Sequence, residues 1–174
     1  MPERVTVRRG APEDVATLAE LGGASFKATF AHLYRVEDLE HFLAETHSAE
    51  VVAAQLSSPT VAYFVAERDG QPLGYGKLVL ACGWPEHARG RNVVELKQLY
   101  TAPGVAGQGI GAALMNAILA EARSRGADEM QLSVWQQNHG AQRFYARYGF
   151  EQVAEIHFKV GEQLDEEFLF AAML

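Results

Sequence analysis

The chain has 174 residues, 48% of them hydrophobic and 21% charged, which is enough to close one core without disulfide or metal staples. Its formal net charge of -7 opposes non-specific binding to nucleic acid or anionic membrane and suits a cationic partner, and a single cysteine, Cys82, excludes an internal disulfide. Met1-Pro2-Glu3-Arg4 carries no apolar leader, the glycines and prolines are scattered and nothing repeats, so the expectation is one domain over residues 1–174, located in the cytoplasm.

Residues 5–8 predict a short strand, after which Pro12-Glu13-Asp14 opens a helix whose stripe of Val15, Leu18, Ala19 and Leu21 is loosened by Gly22-Gly23 and resumed at Phe26 and Phe30. Residues 36–45 and 49–56 read as two more helices, the second entered through Ser48 as N-cap. The β-branched and aromatic run 61–67, the Asp69-Gly70 turn and residues 73–80 predict a hairpin. Residues 83–90 read as loop and 92–101 as strand. Ile110, Ala113, Leu114, Ala117, Ile118 and Ala122 recur at helical spacing up to Gly126, which is placed as a left-handed cap. A strand at 129–135 and a short helix at 141–148 closed by Gly149 follow. Two strands around a connection at 161–166 end the chain, with Asp165-Glu166-Glu167 reading as an exposed turn. This order predicts an α/β fold with a mixed, mostly antiparallel sheet flanked by helices.

Between strand 92–101 and the long helix lies Gly104-Val105-Ala106-Gly107-Gln108-Gly109-Ile110-Gly111-Ala112. Unpaired N–H groups at a helix start, backed by the helix dipole, hold phosphate, and glycine admits a ligand close to the backbone; a glycine cluster can equally let a helix pack tightly on a sheet. Walker A is excluded because Gly109 is followed by Ile110-Gly111 instead of Lys-Ser/Thr. Gly107-x-Gly109-x-x-Ala112 fits the relaxed dinucleotide fingerprint of a nucleotide-dependent oxidoreductase, yet Asp128 and Glu129 precede the next strand instead of ending it.

A third pattern, Arg/Gln-x-x-Gly-x-Gly/Ala, is met at Gly109 and Gly111, with Ala106 where Arg or Gln is expected. Further on, Val134-Trp135-Gln136-Gln137-Asn138, Ala141, Phe144-Tyr145 and Gly149-Phe150 follow in order. By these two motifs the chain resembles the GNAT superfamily of acyl-CoA N-acyltransferases, from about residue 5 to the C-terminus and most sharply over 95–150. The resemblance implies a GNAT-like fold and acetyl-CoA as acyl-donor cosubstrate. It places the pyrophosphate on Gly107, Gln108, Gly109, Ile110, Gly111 and Ala112. The pantetheine arm falls along Leu99, Tyr100 and Thr101 with Asn138 bonded to it, and Ala106 weakens the hold on the cofactor.

Acetyl transfer to an amine expels a thiolate that must be protonated, and it needs an amine that has lost a proton. The resemblance assigns the first task to Tyr145, which read alone is equally a core aromatic beside Phe144 and Tyr148. It assigns the second to Glu95, whose other reading is a strand carboxylate paired with Lys97. A bulge near Leu99 would free a backbone N–H to polarise the acetyl oxygen. Cys82 belongs to neither motif, so direct transfer is expected.

Ala24-Ser25-Phe26-Lys27-Ala28-Thr29-Phe30, Glu95-Leu96-x-x-Leu99-Tyr100, Val134-Trp135-x-x-Asn138 and His157-Phe158 resemble, more loosely, the bacterial spermine/spermidine N-acetyltransferases of the Pai type, which implies a polyamine acceptor. The region between the first helices covers the acceptor pocket in GNAT enzymes, which makes Tyr34, Glu37, Asp38 and Glu40 substrate candidates. The competing acceptors are a protein N-terminus or lysine, an amino acid and an aminoglycoside. A non-catalytic acyl-CoA sensor would not need Tyr145 and Glu95. The six histidines show no His-Glu-x-x-His arrangement and no cysteine pair joins them, so no metal is expected. The partner expected is a small-molecule or peptide amine, with no nucleic acid and no membrane, and a homodimer is common among relatives.

Overall fold

The computed structural model describes residues 4–174. Met1, Pro2 and Glu3, on which the expectation of a leaderless start partly rests, lie outside them. Strand β1 (Thr6–Arg9) precedes helices α1 (Val15–Phe30), α2 (Val36–Thr46) and α3 (Ala49–Leu56). Strands β2 (Val61–Arg68), β3 (Gln71–Val79) and β4 (Val93–Thr101) follow, then helix α4 (Ile110–Ser124), β5 (Glu129–Trp135), α5 (His139–Ala146), β6 (Glu151–Val160) and β7 (Gln163–Met173). They form a seven-stranded sheet in the order β1-β2-β3-β4-β5-β7-β6, antiparallel except where β4 and β5 run parallel. The mixed, mostly antiparallel sheet expected from the sequence is therefore present, with helices on both faces. No helix among the described residues is long and apolar enough to cross a membrane.

Period-two alternation divides the two faces. On β3, Gly74, Gly76 and Leu78 meet α4, whose Ile110, Leu114, Met115, Ile118, Leu119 and Ala122 are all buried against the sheet. Tyr75, one residue out of phase, joins Leu18 of α1 and Val52 of α3 on the opposite face. Each large apolar side chain buried in this way contributes roughly 1.5–3 kcal/mol before chain entropy is counted.

Helix α1 runs unbroken through Gly22-Gly23, against the expected loosening. Packing explains this: a Cβ on Gly22 would lie 2.5 Å from the Tyr75 hydroxyl and 2.6 Å from His47 Cδ2, so glycine is what lets α1 approach β3. The β2–β3 turn sits at Asp69 and Gly70, with φ of 54° and 74°. Those are the conformations of a two-residue turn that matches strand twist.

The β6–β7 connection is shorter than expected, because Val160 pairs with Gln163 and only Gly161 and Glu162 remain in the turn. Asp165, Glu166 and Glu167 are accordingly not an exposed turn. They lie within β7, where alternation buries Asp165 and Glu167 on one face and exposes Glu166.

The feature that makes room for a site is the divergence of β4 from β5. Their ladder covers only Val93–Glu95 against Glu129–Gln131, although both strands continue. In β4 the register on β3 slips between Leu96 and Gln98, so that Lys97 is the extra residue of a bulge. The bulge falls at Lys97 instead of near Leu99.

Candidate active site

Between the diverging strands opens a cavity of about 540 Å³. Leu99, Tyr100 and Thr101 of β4 form one wall, Ser133, Val134 and Trp135 of β5 the other, and α5 contributes Asn138 and Tyr145. The backbone of β4 past its short ladder with β5 retains hydrogen-bonding groups for a ligand lying along it. Phe26 and Phe30 of α1, Phe42 of α2 and Phe158 of β6 enclose the space with aromatic surface.

At one end the cavity reaches Gly104 and Ala106, the start of the glycine loop. Gly107 and Gly109 both hold φ of 79°, which glycine adopts without strain. The first backbone bond of α4 runs from Ala113 N–H to Gly109 O at 3.0 Å, so the N–H groups of Gly109, Ile110, Gly111 and Ala112 face out of the end of a 15-residue helix. A Cβ built on Gly104, Gly107 or Gly109 would meet nothing within 4 Å, and the outer side of the loop is open to a diphosphate. Ala106 supplies no cation, yet Arg68 at the end of β2 stands beside the loop, its Nη1 donating to Gln108 Oε1 at 3.0 Å.

Asn138 is the N-cap of α5, which begins two residues earlier than expected because its Oδ1 accepts from Ala141 N–H at 3.2 Å. The cap engages the amide oxygen and leaves the NH₂ to serve another partner, and Asn138 lines the cavity. Tyr145, about two helical turns further, packs edge-on against Phe144 and Phe150 at centroid distances of 5.5 and 5.9 Å. Burial, and then the field of Glu167, push its pKa up to about 12, so the phenol keeps its proton at neutral pH.

Glu95 is not brought to this cavity. It sits at the last rung of the β4–β5 ladder opposite Gln131, with Oε2 3.5 Å from Lys97 Nζ and Gly83 of the β3–β4 loop packed on its carboxylate. Of its two sequence readings, the pairing with Lys97 is the one formed. The acidic residues of α2 are displaced as well. Phe42, Glu45 and Thr46 face the cavity, which turns Glu37 and Glu40 to the opposite, exposed side of the helix. Asp38 accepts from Arg35 Nε at 2.9 Å beside the β6–β7 turn. Of the four acceptor candidates only Tyr34 lines the cavity, its hydroxyl donating to Asp165.

Three buried groups not singled out in the sequence also line it. His47 shares the polar floor, with Nδ1 2.7 Å from Thr46 Oγ1 and Nε2 3.5 Å from Gln98, whose Oε1 in turn accepts from Tyr75. Burial, then Lys77, lower the His47 pKa to about 4, so the ring is neutral. Lys77 of β3 is 5% exposed, its ammonium 5.8 Å from the Tyr63 ring centroid, and burial followed by Lys97 lowers its pKa to about 8. The carboxylate that opposes this shift, Glu95, is engaged by Lys97. Glu167 of β7 is 8% exposed with Oε2 buried and unbonded, and burial followed by Asp165 pushes its pKa up to about 7. The signal for Glu167 was present as the alternation Asp165, Glu167, Leu169, Ala171, hidden by reading the acidic run as a turn.

The chain matches the model of the Acetyltransferase (GNAT) family over residues 28–150. It is 32% identical to an uncharacterized N-acetyltransferase of Mycobacterium bovis over 90% of this chain and 95% of that one. With the aminoalkylphosphonate N-acetyltransferase of Salmonella typhimurium it shares 30% over 87% and 96% of the two chains. With the spermidine N(1)-acetyltransferase of Thermoplasma acidophilum it shares 26% over 84% and 88%. In fold it is similar to the crystal structure of the PaiA N-acetyltransferase of Thermoplasma acidophilum in complex with coenzyme A, with a TM-score of 0.79, 24% identity and coverage of 98% and 99% of the two chains. The chain therefore belongs to the Acetyltransferase (GNAT) family and is an acetyl-CoA-dependent N-acetyltransferase.

Proposed function

We propose that residues 1–174 act as one N-acetyltransferase domain that moves the acetyl group of acetyl-CoA directly onto a small primary amine, with a polyamine such as spermidine or spermine as acceptor. The observation that carries the transfer is the convergence of Leu99, Tyr100, Thr101, Asn138 and Tyr145 on one cavity that runs into the glycine loop. In this reading the N–H groups at the start of α4 hold the pyrophosphate, the β4 edge and the Asn138 amide hold the pantetheine, and Tyr145 delivers a proton to the departing sulfur.

The polyamine reading is supported by the spermidine acetyltransferase relative, by the net charge of -7 and by two cavity carboxylates, Glu45 and Glu167, which take the place of Glu37, Asp38 and Glu40. A second acceptor class is favoured by Lys77. A buried ammonium without a free carboxylate suits an amine that also carries an anionic group, as the substrate named for the Salmonella relative does.

The test is kcat/KM for spermidine, spermine, aminomethylphosphonate, a lysine peptide and an aminoglycoside, in the wild type and in Tyr145→Phe and Lys77→Met. Tyr145→Phe should lower turnover about 10²–10⁴-fold with CoA affinity kept, and unchanged turnover would make Tyr145 a packing residue. Under the polyamine reading spermidine or spermine leads and its advantage shrinks with salt. Under the second reading aminomethylphosphonate leads, and Lys77→Met removes its preference alone.

A further inference from the structure

The transfer proposed above needs a group that takes a proton from the incoming ammonium, and the residue expected for it, Glu95, lies outside the cavity. We propose that Glu167 is that general base, a carboxylate aimed into the transfer cavity from β7, an element outside both cofactor motifs. This inference rests on the acetyl-transfer reading and adds a catalytic residue to it.

Placement carries the argument. Glu167 pairs in register with Trp135 of β5, so it stands on the arm of the opening that faces Leu99 and Tyr100 across the cavity. Of the two carboxylates lining the cavity, Glu45 is exposed on α2 and Glu167 is 8% exposed. A carboxylate oxygen buried with no donor is normally eliminated in folding, because water has been removed and nothing replaces it. Glu167 Oε2 is such an atom, closed off from solvent, while the side chain that carries it lines the cavity. An ammonium arriving in the cavity brings a donor to this carboxyl group.

The titratable groups around it set its character. Asp165 lies one pleat away on the same face of β7 and holds the Tyr34 hydroxyl, while Tyr100 of β4 and Tyr145 of α5 both feel the charge of Glu167. The flanking strands oppose it with Trp135 and Ile156, which bring no charge. These neighbours are negative or neutral, and with burial they hold the carboxyl pKa at about 7, a basicity suited to proton exchange near neutral pH.

The step balances as follows. Glu167 accepts one proton from the ammonium, the freed nitrogen forms a bond to the acetyl carbon, and the C–S bond breaks with its electron pair on sulfur, which Tyr145 protonates. The nitrogen, acidified by the new bond, loses a second proton that restores Tyr145. Glu167 then returns its proton to water, so one acetyl group moves and one proton is released per turnover.

The experiment follows thiol release with acetyl-CoA and either spermidine or aminomethylphosphonate from pH 5.5 to 9 in wild type, Glu167→Gln, Glu167→Asp and Glu95→Gln, with CoA affinity measured by calorimetry. Wild type is expected to show an ascending limb of kcat/KM near pH 7. Glu167→Gln should lose that limb and about 10²–10⁴-fold in rate at pH 7 while binding CoA as tightly, and Glu167→Asp should keep the limb at a reduced rate. Glu95→Gln should match wild type in profile. Wild-type rate and profile in Glu167→Gln, or loss of the limb in Glu95→Gln instead, would overturn the assignment and leave the acetyltransferase standing. No acetylation of any amine by wild type would overturn both.

Discussion

Glu167 also makes a prediction about stability that needs no substrate. Its folded-state pKa of about 7 lies above the ordinary carboxyl value of 4.5, so the fold prefers the protonated form. The stability tied to that proton is fully present below pH 4.5 and is lost as pH rises through 7. At roughly 1.4 kcal/mol per tenfold change in proton affinity the loss is about 3 kcal/mol, an order-of-magnitude figure for a carboxyl buried beside Asp165. Glu167→Gln keeps the shape and removes the titration. Urea unfolding of wild type and variant at pH 4.5, 6, 7 and 8 should show near-equal stability at the lowest pH and a variant that gains steadily above it, reaching about 3 kcal/mol, or roughly 6–12 °C in Tm for a chain of this size. His47 runs the other way: its lowered pKa gives stability that is present above 6.5 and lost as pH falls toward 4. The difference between the two proteins cancels that slope. A difference independent of pH would refute the claim that its surroundings raise the Glu167 pKa.

Gly109→Asp places a carboxylate where the α4 N–H groups are open, and CoA affinity measured by calorimetry should collapse, whereas Gly109→Asn, with the same backbone strain and no charge, should retain much more of it. Arg68→Met should weaken CoA binding if the guanidinium at Gln108 serves the loop that Ala106 leaves without a cation, and Ala106→Arg should offset part of that loss in the double variant. Gly22→Ala should destabilise by about 1–2 kcal/mol in urea, since the clash with Tyr75 and His47 outweighs the gain in helix propensity.

Much of the architecture was readable because local chemistry and tertiary packing agree. The stripe of Ile110, Leu114 and Ile118, the Asp69-Gly70 turn and the Ser48 cap each specify their element from within a few residues. The errors fall where distant contacts decide. Gly22-Gly23 looks like a loosening of the helix until Tyr75, more than fifty residues later, is seen to need the space. The placement of Glu95 turned on how far β4 pairs with β5, and no local pattern states where two parallel strands part. Asp165-Glu166-Glu167 read as a turn because acidic runs favour solvent, yet β7 is held by β5 on one side and β6 on the other, and that pairing buries alternate members of the run.

The parting of β4 and β5 has an energetic consequence that links fold to chemistry. Strand edges are ordinarily satisfied by a neighbour, and here the edge past Glu95 is left for a ligand. Around it Phe26 packs on Phe42 at 4.7 Å and Phe42 on Phe158 at 5.6 Å, with Phe30 against Trp135 at 5.6 Å, which gives part of the space an apolar wall. Buried charges facing such a space lack solvent, and the two that do so from the sheet, Lys77 and Glu167, are driven toward their neutral forms. The protein therefore tolerates two under-solvated groups in its resting state. A substrate bearing the complementary charge recovers part of that free energy on binding, so affinity for the acceptor and the basicity of Glu167 arise from the same desolvation.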